Sequence, residues 1–463
     1  MKRRIESVRQ RVARFLRYDF ETLLTFGFTS DHQYRQLSIG YISYIIFGTL
    51  LLCLPFMKTA DVSFMDNFFS ATSAVSTTGL ATVDVSKSYS FLGQLVILIL
   101  IQLGGIGYMT MSSFVMLKLT KHFTMIKKKI LQAEFSVPGN ISINNLVPSI
   151  IYFTLFFEVA GALLLYISFV SCGAANPLWS AIFHSVSAFC TAGFSIYSDN
   201  LMAFSTNTSV NVIIIILSYA GAMGFIVMID LWRKITEKKY RISFSTKVIV
   251  FITLLLTIWG TSEMYFFEPG LNSYAPYDRF LISLFHTMSA LTTVGYNTVN
   301  LGNLIPVSLM TLTLIMFFGA SPSGTGGGLK STTTSAIFAF VKSKLSMKRD
   351  IYLSGHRLPT YRVDNALTTL ILYSFFLLAG SYLLSATDPD KDYMQLIFEA
   401  ASALGTVGLS TGITAGLSAA GKIILIFLMY FGRVGVLTIG FAMLLRMKEK
   451  TKILFEQEED LAI

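Results

Sequence analysis

The sequence predicts an all-α membrane protein whose helices form four parallel repeats around a pseudo-fourfold axis. Three observations carry this prediction. Hydrophobic residues make up 53% of the 463 residues and charged residues only 13%, about half the charged share of a soluble domain. Basic residues are concentrated on alternate loops, and one short phrase of sequence recurs four times at similar spacing.

Eight apolar stretches are long enough to cross a bilayer, which takes about 20 residues of helix. They cover residues 37–57, 92–118, 147–171, 209–232, 245–267, 304–341, 364–386 and 421–445. Within each successive pair lies a weaker apolar segment that is too short to span. These four segments predict re-entrant half-helices at 66–77, 180–191, 281–292 and 394–405.

The net charge of +10 follows the topology of the chain and does not indicate a nucleic-acid-binding surface. Of the 36 Lys and Arg residues, 29 fall on alternate loops and the two ends, and only 5 on the other loops. By the positive-inside rule, we predict a multi-pass protein of the cell membrane with both termini in the cytoplasm. The three cysteines form no CxxC pair and the five histidines no HExxH pattern, so neither a disulfide framework nor a transition-metal site is predicted.

The recurring phrase is Phe, three residues, Ser-Ala, four residues, Gly. It runs from Phe69 to Gly79, Phe183 to Gly193, Phe285 to Gly295 and Phe398 to Gly408, with the glycines 114, 102 and 113 residues apart. The spans run in the same direction in each unit, so the repeats would be related by an axis along the membrane normal. Their predicted bounds are 37–118, 119–232, 233–341 and 342–445, between a basic N-terminus, 1–36, and a tail, 446–463.

The segments around the four glycines, 76–80, 190–194, 292–296 and 405–409, are called here the glycine loops, and each has threonine two residues before its glycine. Non-helical backbone at membrane depth must be buried in protein or line a water-filled cavity. Carbonyl oxygens turned toward an axis can replace the hydration shell of K⁺, and glycine tolerates the unusual dihedral angles that this requires. The half-helices would direct their partly negative C-terminal ends at the same place, which favours a cation.

With these loops and spans, the chain resembles the Trk/Ktr/HKT superfamily of potassium transporters, and within it the KtrB-type membrane subunit. The resemblance covers nearly the whole chain; Trk-type subunits carry two further N-terminal spans. It implies four helix–pore-helix–filter-loop–helix repeats around a pseudo-fourfold pore, and the pore-forming subunit of a potassium uptake system, not an enzyme. K⁺ would be the substrate, without a covalent cofactor or transition metal, and a stimulating role of Na⁺ stays open.

The resemblance places the ion filter at the threonine, the glycine and the residue between them in each glycine loop. These residues are Thr77, Thr78, Gly79, Thr191, Ala192, Gly193, Thr293, Val294, Gly295, Thr406, Val407 and Gly408. Some plant members carry Ser at the first filter glycine and lean toward sodium, so Gly79 favours potassium.

The sixth span, 304–341, is too long for one crossing and is interrupted at 319–330, which contains five glycines and Pro322. These residues cannot propagate a helix, which predicts half-helices at 304–318 and 331–341. A Walker phosphate loop is excluded because Leu329 separates Gly328 from Lys330. The resemblance instead implies an intramembrane gate below the filter, hereafter the gate loop. Its gating residues would be Gly319, Ser321, Ser323, Gly324, Thr325, Gly326, Gly327, Gly328 and Lys330, together with Arg433.

Several ionisable residues lie within predicted membrane segments, where an uncompensated charge is costly. Arg433 in the last span would face the pore, where it either repels cations or clamps the carbonyls of the gate loop. Glu158 in the third span is expected to pair with a lysine or to be protonated. A structural role for this residue is favoured over a role as a proton relay. His184, His286 and Glu399 follow the phenylalanine of the second, third and fourth phrases, and are interpreted as packed half-helix residues that could hydrogen-bond behind the filter.

The resemblance implies a homodimer seated on a cytosolic ring of nucleotide-binding, KtrA/KtrC-like regulatory subunits. The basic segments 127–129 and 238–241 and the C-terminal tail are candidate docking surfaces. Three alternatives stay open on the residues. They are a Na⁺-selective or weakly selective conduit of the same fold, a proton-coupled solute transporter, and the channel-like subunit of an ATP-driven pump.

Overall fold

The computed structural model describes residues 33–107, 110, 143–237, 239–348 and 350–440. Most of the predicted basic N-terminus, the 127–129 segment and the tail 446–463 lie outside these residues. The described part of the chain is helical, with a single short hairpin between two of its helices.

In chain order the helices are α1 (Gln33–Leu52), α2 (Phe64–Val75), α3 (Val85–Ser88), α4 (Phe91–Ile106), α5 (Ile143–Ser171), α6 (Pro177–Phe189), α7 (Thr208–Ala222), α8 (Phe225–Thr236), α9 (Phe244–Phe267), α10 (Pro276–Thr292), α11 (Pro306–Phe317), α12 (Ser331–Leu345), α13 (Thr360–Thr387), α14 (Tyr393–Leu404) and α15 (Ala419–Val434). Single 3₁₀ turns occur at Pro55–Met57, Met202–Phe204, Pro269–Leu271, Leu301–Asn303 and Thr414–Gly416. Strands β1 (Tyr352–Leu353) and β2 (His356–Arg357) pair antiparallel between α12 and α13.

The long helices have the length and composition of membrane spans. Among the described residues, Val147–Ser171, Phe244–Phe267 and Thr360–Thr387 each suffice to cross a bilayer, and α7 with α8 forms a further, bent pair. Phe156, Ile258 and Phe375 on these helices are 61–67% exposed. Outward apolar side chains of this size are typical of a surface that faces lipid and not water.

The helices that end at the glycine loops, α2, α6, α10 and α14, are short. Side-chain oxygens of Ser63 and Asp392 cap α2 and α14, whereas α6 and α10 begin with proline, which fits the first helical turn. The phenylalanine of each recurring phrase anchors its helix in the core. All four are fully buried: Phe69, Phe183, Phe285 and Phe398.

The short helices form a closed circle. Each packs against the long helix before it, in the pairs α1–α2, α5–α6, α9–α10 and α13–α14. Each also contacts the helix that follows the preceding glycine loop, so that α4 lies on α6, α7 on α10, α11 on α14, and α15 on α2. The contact between α15 and α2 joins the end of the described chain to its beginning. An ion pair of 2.9 Å between Lys422 on α15 and Asp66 on α2 links these two helices.

Breaks occur in more helices than the sequence predicted. The sequence predicts continuous spans at 209–232 and 421–445, but α7 and α8 meet at Met223 and Gly224 with a bend of 101°, and α15 ends at Val434 with Gly435 as its C-cap. The helix α4 likewise ends at Ile106 with Gly107 as its C-cap, and the remainder of the predicted span 92–118 lies almost wholly outside the described residues. Gly107, Gly224 and Gly435 have φ of 86°, 86° and 92°, a conformation that glycine adopts without penalty and that ends a right-handed helix.

Candidate ion-binding site and gate

The four glycine loops meet at one place. Each glycine packs so tightly against the residue before the next glycine that an added methyl group would overlap that residue's carbonyl oxygen. These contacts run from Gly79 to Ala192, from Gly193 to Val294, from Gly295 to Val407 and from Gly408 back to Thr78. The structure thus brings all twelve predicted filter residues into one closed ring.

The backbone of the four loops has the same unusual conformation. The threonines have φ of 53°, 51°, 58° and 48° at Thr77, Thr191, Thr293 and Thr406. A non-glycine residue in this left-handed region costs about 1–2 kcal/mol. The glycines two residues later also have positive φ, between 64° and 94°. Because the same strain recurs at four places, the surrounding structure holds the loops in this shape.

The Ser-Ala pair of the recurring phrase explains how the loops are held. In every loop the threonine N–H donates to the carbonyl of that alanine, at 3.1–3.4 Å, and the next N–H donates to the carbonyl of that serine, at 2.8–3.1 Å. The last turn of each short helix therefore satisfies the amides of its glycine loop.

The carbonyl oxygens of the twelve predicted filter residues, unlike others in the glycine loops, are left without protein partners. Of the twelve predicted filter residues, all within the described part of the chain, none accepts a hydrogen bond from another protein group at its carbonyl oxygen. Buried carbonyl groups are almost always paired with protein or water. Ten of the twelve residues are buried, and Gly79 and Gly408 are partly exposed. A ring of carbonyl oxygens without protein donors is suited to an oxygen-ligated cation.

The serine hydroxyls of the phrase were not singled out from the sequence, although their fixed position was a signal. The Gly79 and Gly408 amides donate to the Ser73 and Ser402 hydroxyls, both at 3.0 Å. In the other two loops the hydroxyls donate to the carbonyl that follows the glycine, at 3.0 Å for Ser187 and 2.7 Å for Ser289. Each serine thereby fixes the outgoing end of its glycine loop.

The gate loop lies directly against the threonines of the ring. The Thr191 hydroxyl donates to the Thr325 hydroxyl at 3.1 Å, and the Gly327 N–H donates to the Thr293 hydroxyl at 2.9 Å. Gly327 also contacts Thr406, because a methyl group on that glycine would overlap the Thr406 hydroxyl. The predicted gate and the predicted filter are therefore in contact in this structure.

Arg433 joins the gate loop to the ring and to α4. Its guanidinium donates to the Thr325 carbonyl at 2.5 Å and to the Thr77 hydroxyl at 2.9 Å. It also donates to the carbonyls of Gly104 and Gly105 at the end of α4. The five N–H donors of a guanidinium have a fixed planar geometry that suits a cluster of carbonyl acceptors. These contacts are those expected if Arg433 clamps the carbonyls of the gate loop, one of the two roles that the sequence suggests.

The gate loop is also hydrogen-bonded to the break between α7 and α8, a contact that the sequence did not reveal. The Thr325 N–H donates to the Gly221 carbonyl and the Ser321 N–H to the Ala222 carbonyl, both at 3.1 Å. In return the Phe225 N–H donates to the Ser323 carbonyl at 3.2 Å. The break thus supplies the backbone partners that hold one side of the loop.

On its other side, the gate loop is held by hydrogen bonds between its own residues, in which Lys330 takes part. Its ammonium donates to the Gly326 and Gly327 carbonyls at 2.5 and 3.4 Å, and the Ala320 N–H donates to the Gly327 carbonyl at 3.0 Å. Residues of the gate loop, among them Lys330, line a cavity of about 1750 Å³ together with Arg433. The loop therefore separates the ring of carbonyls from a wide space.

Glu158 is buried, and no lysine among the described residues forms the ion pair with it that the sequence left open. Among the described residues its carboxylate accepts from the Gln102 amide at 3.1 Å and lies 3.8 Å from the Cys190 sulfur. Its backbone carbonyl accepts from the Ser185 hydroxyl at 2.7 Å. These contacts tie α5 to α4 and α6, as a structural role requires.

Asp84, in the loop outside the membrane segments, caps α3. It accepts from the Ser86 N–H at 2.9 Å and from the Ser86 hydroxyl at 2.6 Å. Burial alone would raise the pKa of the Asp84 carboxyl, but hydrogen bonds from Ser86 and Ser198 and the charge of Lys87 hold that pKa below its ordinary value. The carboxylate is thus engaged in local structure.

Comparison with known proteins identifies the family. The family model described as TrkH, cation transport protein, matches residues 10–452. The chain belongs to this family. The Ktr system potassium uptake protein B of Bacillus subtilis (strain 168) is 33% identical over 413 residues, which cover 88% of this chain and 92% of that protein. The potassium/sodium uptake protein NtpJ of Enterococcus hirae is 31% identical over 422 residues, 89% of this chain and 93% of that protein.

Structural comparison agrees with a TrkH-family fold. The crystal structure of the potassium transporter TrkH from Vibrio parahaemolyticus superimposes with a TM-score of 0.73 at 20% identity, and covers 90% of this chain and 85% of that one. The helical fold of this membrane transporter is therefore shared.

Proposed function

We propose that this chain is the pore-forming subunit of a potassium uptake system, through which K⁺ moves passively across the cell membrane. The observation that carries the proposal is the closed ring of carbonyl oxygens without protein donors. Such oxygens can replace the water shell of a K⁺ ion without a charged ligand. The names of the relatives from B. subtilis and E. hirae support potassium as the ion.

In this proposal the short helices are pore helices and the glycine loops are filter loops. The four units would be the repeats bounded at 37–118, 119–232, 233–341 and 342–445. Their support is the circular packing of the short helices and the common backbone conformation of the loops. The half-helices end at the ring, where their partial negative charge would add to the attraction for a cation.

The gate loop would block permeation until it moves. It contacts three of the ring threonines and is bonded to the fourth, Thr77, through Arg433. An ion leaving the ring meets this loop before it reaches the cavity below. Opening would disrupt the hydrogen bonds that join the gate loop to Arg433 and to the residues between α7 and α8. Transitions between an ordered and a released segment are common in switching proteins.

Growth under potassium limitation tests the proposal. Expression of the chain in a host without its own potassium uptake should restore growth at low K⁺, and more strongly with a nucleotide-binding regulatory partner. Failure to restore growth, with the protein present in the membrane, would contradict the assignment.

A sodium-selective or weakly selective conduit is the second candidate, and the name of the E. hirae relative gives it weight. Rubidium uptake in competition with sodium separates the two functions. A potassium filter keeps Rb⁺ uptake at a large excess of Na⁺, whereas a weakly selective conduit loses it in proportion to the added Na⁺.

A proton-coupled transporter would depend on Glu158, which makes the Glu158→Gln variant informative. Since glutamine keeps the size of the side chain and can still bond Gln102, we expect Rb⁺ uptake within about threefold of the wild type. Uptake measured at two external pH values checks this. Abolished transport with normal amounts of protein would favour proton coupling.

The assembly is proposed to be a homodimer on a cytosolic nucleotide-binding ring. The Ktr system names of relatives support a multi-subunit system.

In the candidate docking segment 238–241, Lys239 and Arg241 are among the described residues and are exposed. The double reversal Lys239→Glu and Arg241→Glu should weaken partner binding by roughly tenfold and remove nucleotide control of uptake, with uptake by the chain alone unchanged. Lys87→Glu, on the opposite predicted face, is the control, and nucleotide control that persists in the double variant would refute the docking surface.

A further inference from the structure

Four side chains stand at the same register behind the ring, each directly after the phenylalanine of its phrase: Ser70, His184, His286 and Glu399. All four are buried. Three of them bond to the chain that leaves their own glycine loop. His184 Nε2 lies 2.9 Å from the Ser195 hydroxyl, and His286 Nε2 accepts from the Thr298 N–H at 3.2 Å.

Glu399 makes the most extensive of these contacts. One carboxyl oxygen accepts from the Ser410 hydroxyl at 2.6 Å, from the Thr411 N–H at 3.0 Å and from the Thr411 hydroxyl at 3.3 Å. The other oxygen accepts from the Thr414 hydroxyl at 2.8 Å. Among the described ion pairs none involves Glu399, so its side chain serves as an acceptor for this one segment.

These contacts begin two residues after Gly408. The Gly408 N–H is itself bonded to the Ser402 hydroxyl, on the same helix α14, at 3.0 Å. The helix therefore holds the fourth glycine loop on both sides of the glycine, at the N–H of Gly408 and at residues 410–414. A loop fixed at both ends cannot shift its carbonyls independently of the helix.

We propose that Glu399 is a positioning residue for ion selectivity, which fixes the segment after Gly408 and thereby the spacing of the carbonyls of Val407 and Gly408. The inference rests on the proposed function of the ring as a potassium filter. Discrimination between ions of different radius requires the ligating oxygens to be held in place by the residues around them. Hydrogen-bond acceptance, not charge, carries the role, because every partner of Glu399 is a hydroxyl or an amide.

The test compares Glu399→Met with Glu399→Gln. Methionine has a similar length but leaves the Thr411 N–H without a partner, whereas the glutamine oxygen can still accept from that N–H and its amide can donate to a hydroxyl. We expect Glu399→Met to raise the KM for Rb⁺ uptake and to lower the Rb⁺/Na⁺ discrimination, each by about tenfold. Glu399→Gln should stay near the wild type in both.

A control at a comparable buried acid separates positioning from general stability. Glu268 is also buried and accepts backbone N–H groups, from Gly270 at 3.1 Å and Ile305 at 3.2 Å, but it does not contact a glycine loop. Glu268→Met should lower the amount of folded protein without changing KM or discrimination. If Glu399→Met does not fold, Thr414→Val, which removes one donor, should shift both quantities in the same direction by a smaller factor.

The outcomes separate the inference from the function on which it rests. Unchanged KM and discrimination in Glu399→Met, or in Thr414→Val where the former does not fold, would overturn the role of Glu399 and leave the filter intact. If the methionine and glutamine variants lose Rb⁺ affinity and Rb⁺/Na⁺ discrimination equally, hydrogen-bond acceptance does not carry the role of Glu399, and its negative charge does. If the wild type transports no Rb⁺, the proposed function fails and the inference falls with it.

Discussion

Replacing Gly79 with serine is expected to lower both Rb⁺ uptake and Rb⁺/Na⁺ discrimination by roughly tenfold or more. Gly79 has φ of 94°, a conformation that strains any side chain. The added Cβ would overlap the carbonyl oxygen of Ala192, a member of the ring. Because that atom belongs to the backbone of the neighbouring loop, the ring must widen to accept the side chain. Uptake of Rb⁺ at increasing Na⁺ measures both effects.

A glycine outside the ring provides the matched control for this substitution. Gly173 also has a positive φ, of 65°, but an added Cβ there meets nothing within 4 Å. Gly173→Ala therefore carries a conformational penalty without a clash, and should lower stability slightly and leave selectivity unchanged. Unaltered selectivity in Gly79→Ser, or an equal change in both variants, would argue against the ring as the filter.

Replacing Arg433 with glutamine is expected to raise Rb⁺ flux by roughly tenfold and to make it less dependent on a regulatory partner. The substitution removes the bonds to the carbonyls of Thr325, Gly104 and Gly105, which tie the gate loop to α4. It also removes a positive charge from the proposed path of the ion. Flux into vesicles that contain the purified protein, with and without the partner, measures the change.

A lysine at the same position separates the two roles of Arg433. Arg433→Lys keeps the charge but loses the fork of donors, so an intermediate flux is expected if repulsion and clamping both contribute. Lys342→Gln, on the exposed last turn of α12 and outside the cavity that Arg433 lines, serves as the control for loss of a positive charge. Lower flux in Arg433→Gln with intact protein would contradict a gating role and leave Arg433 as a structural clamp.

Local sequence was sufficient to predict the short helices. The half-helix predicted at 281–292 is part of α10, Pro276–Thr292, and that predicted at 394–405 nearly coincides with α14, Tyr393–Leu404. Both are amphipathic segments bounded by helix starts and by a glycine loop, and these signals are local. The break at 319–330 was predictable for the same reason, since several glycines together cannot sustain a helix.

Tertiary contacts decided what the sequence could not show. Single glycines are common within membrane helices, so Gly224 and Gly435 gave no sign that α7 and α15 end there. The positive φ of Gly224 coincides with its contact against the Pro322 carbonyl of the gate loop, about a hundred residues later in the chain. The hydroxyls of Ser73 and Ser402 likewise acquire their roles only when the loop folds back onto its own helix.

Diffraction from crystals grown in rubidium tests the central claim most directly, because the anomalous signal of Rb⁺ locates the ion without any assumption about transport. The account predicts a peak on the axis of the ring, surrounded by carbonyl oxygens of residues 77–79, 191–193, 293–295 and 406–408. A ring without an ion at saturating Rb⁺, or ions held instead by carboxylates elsewhere in the protein, would contradict it.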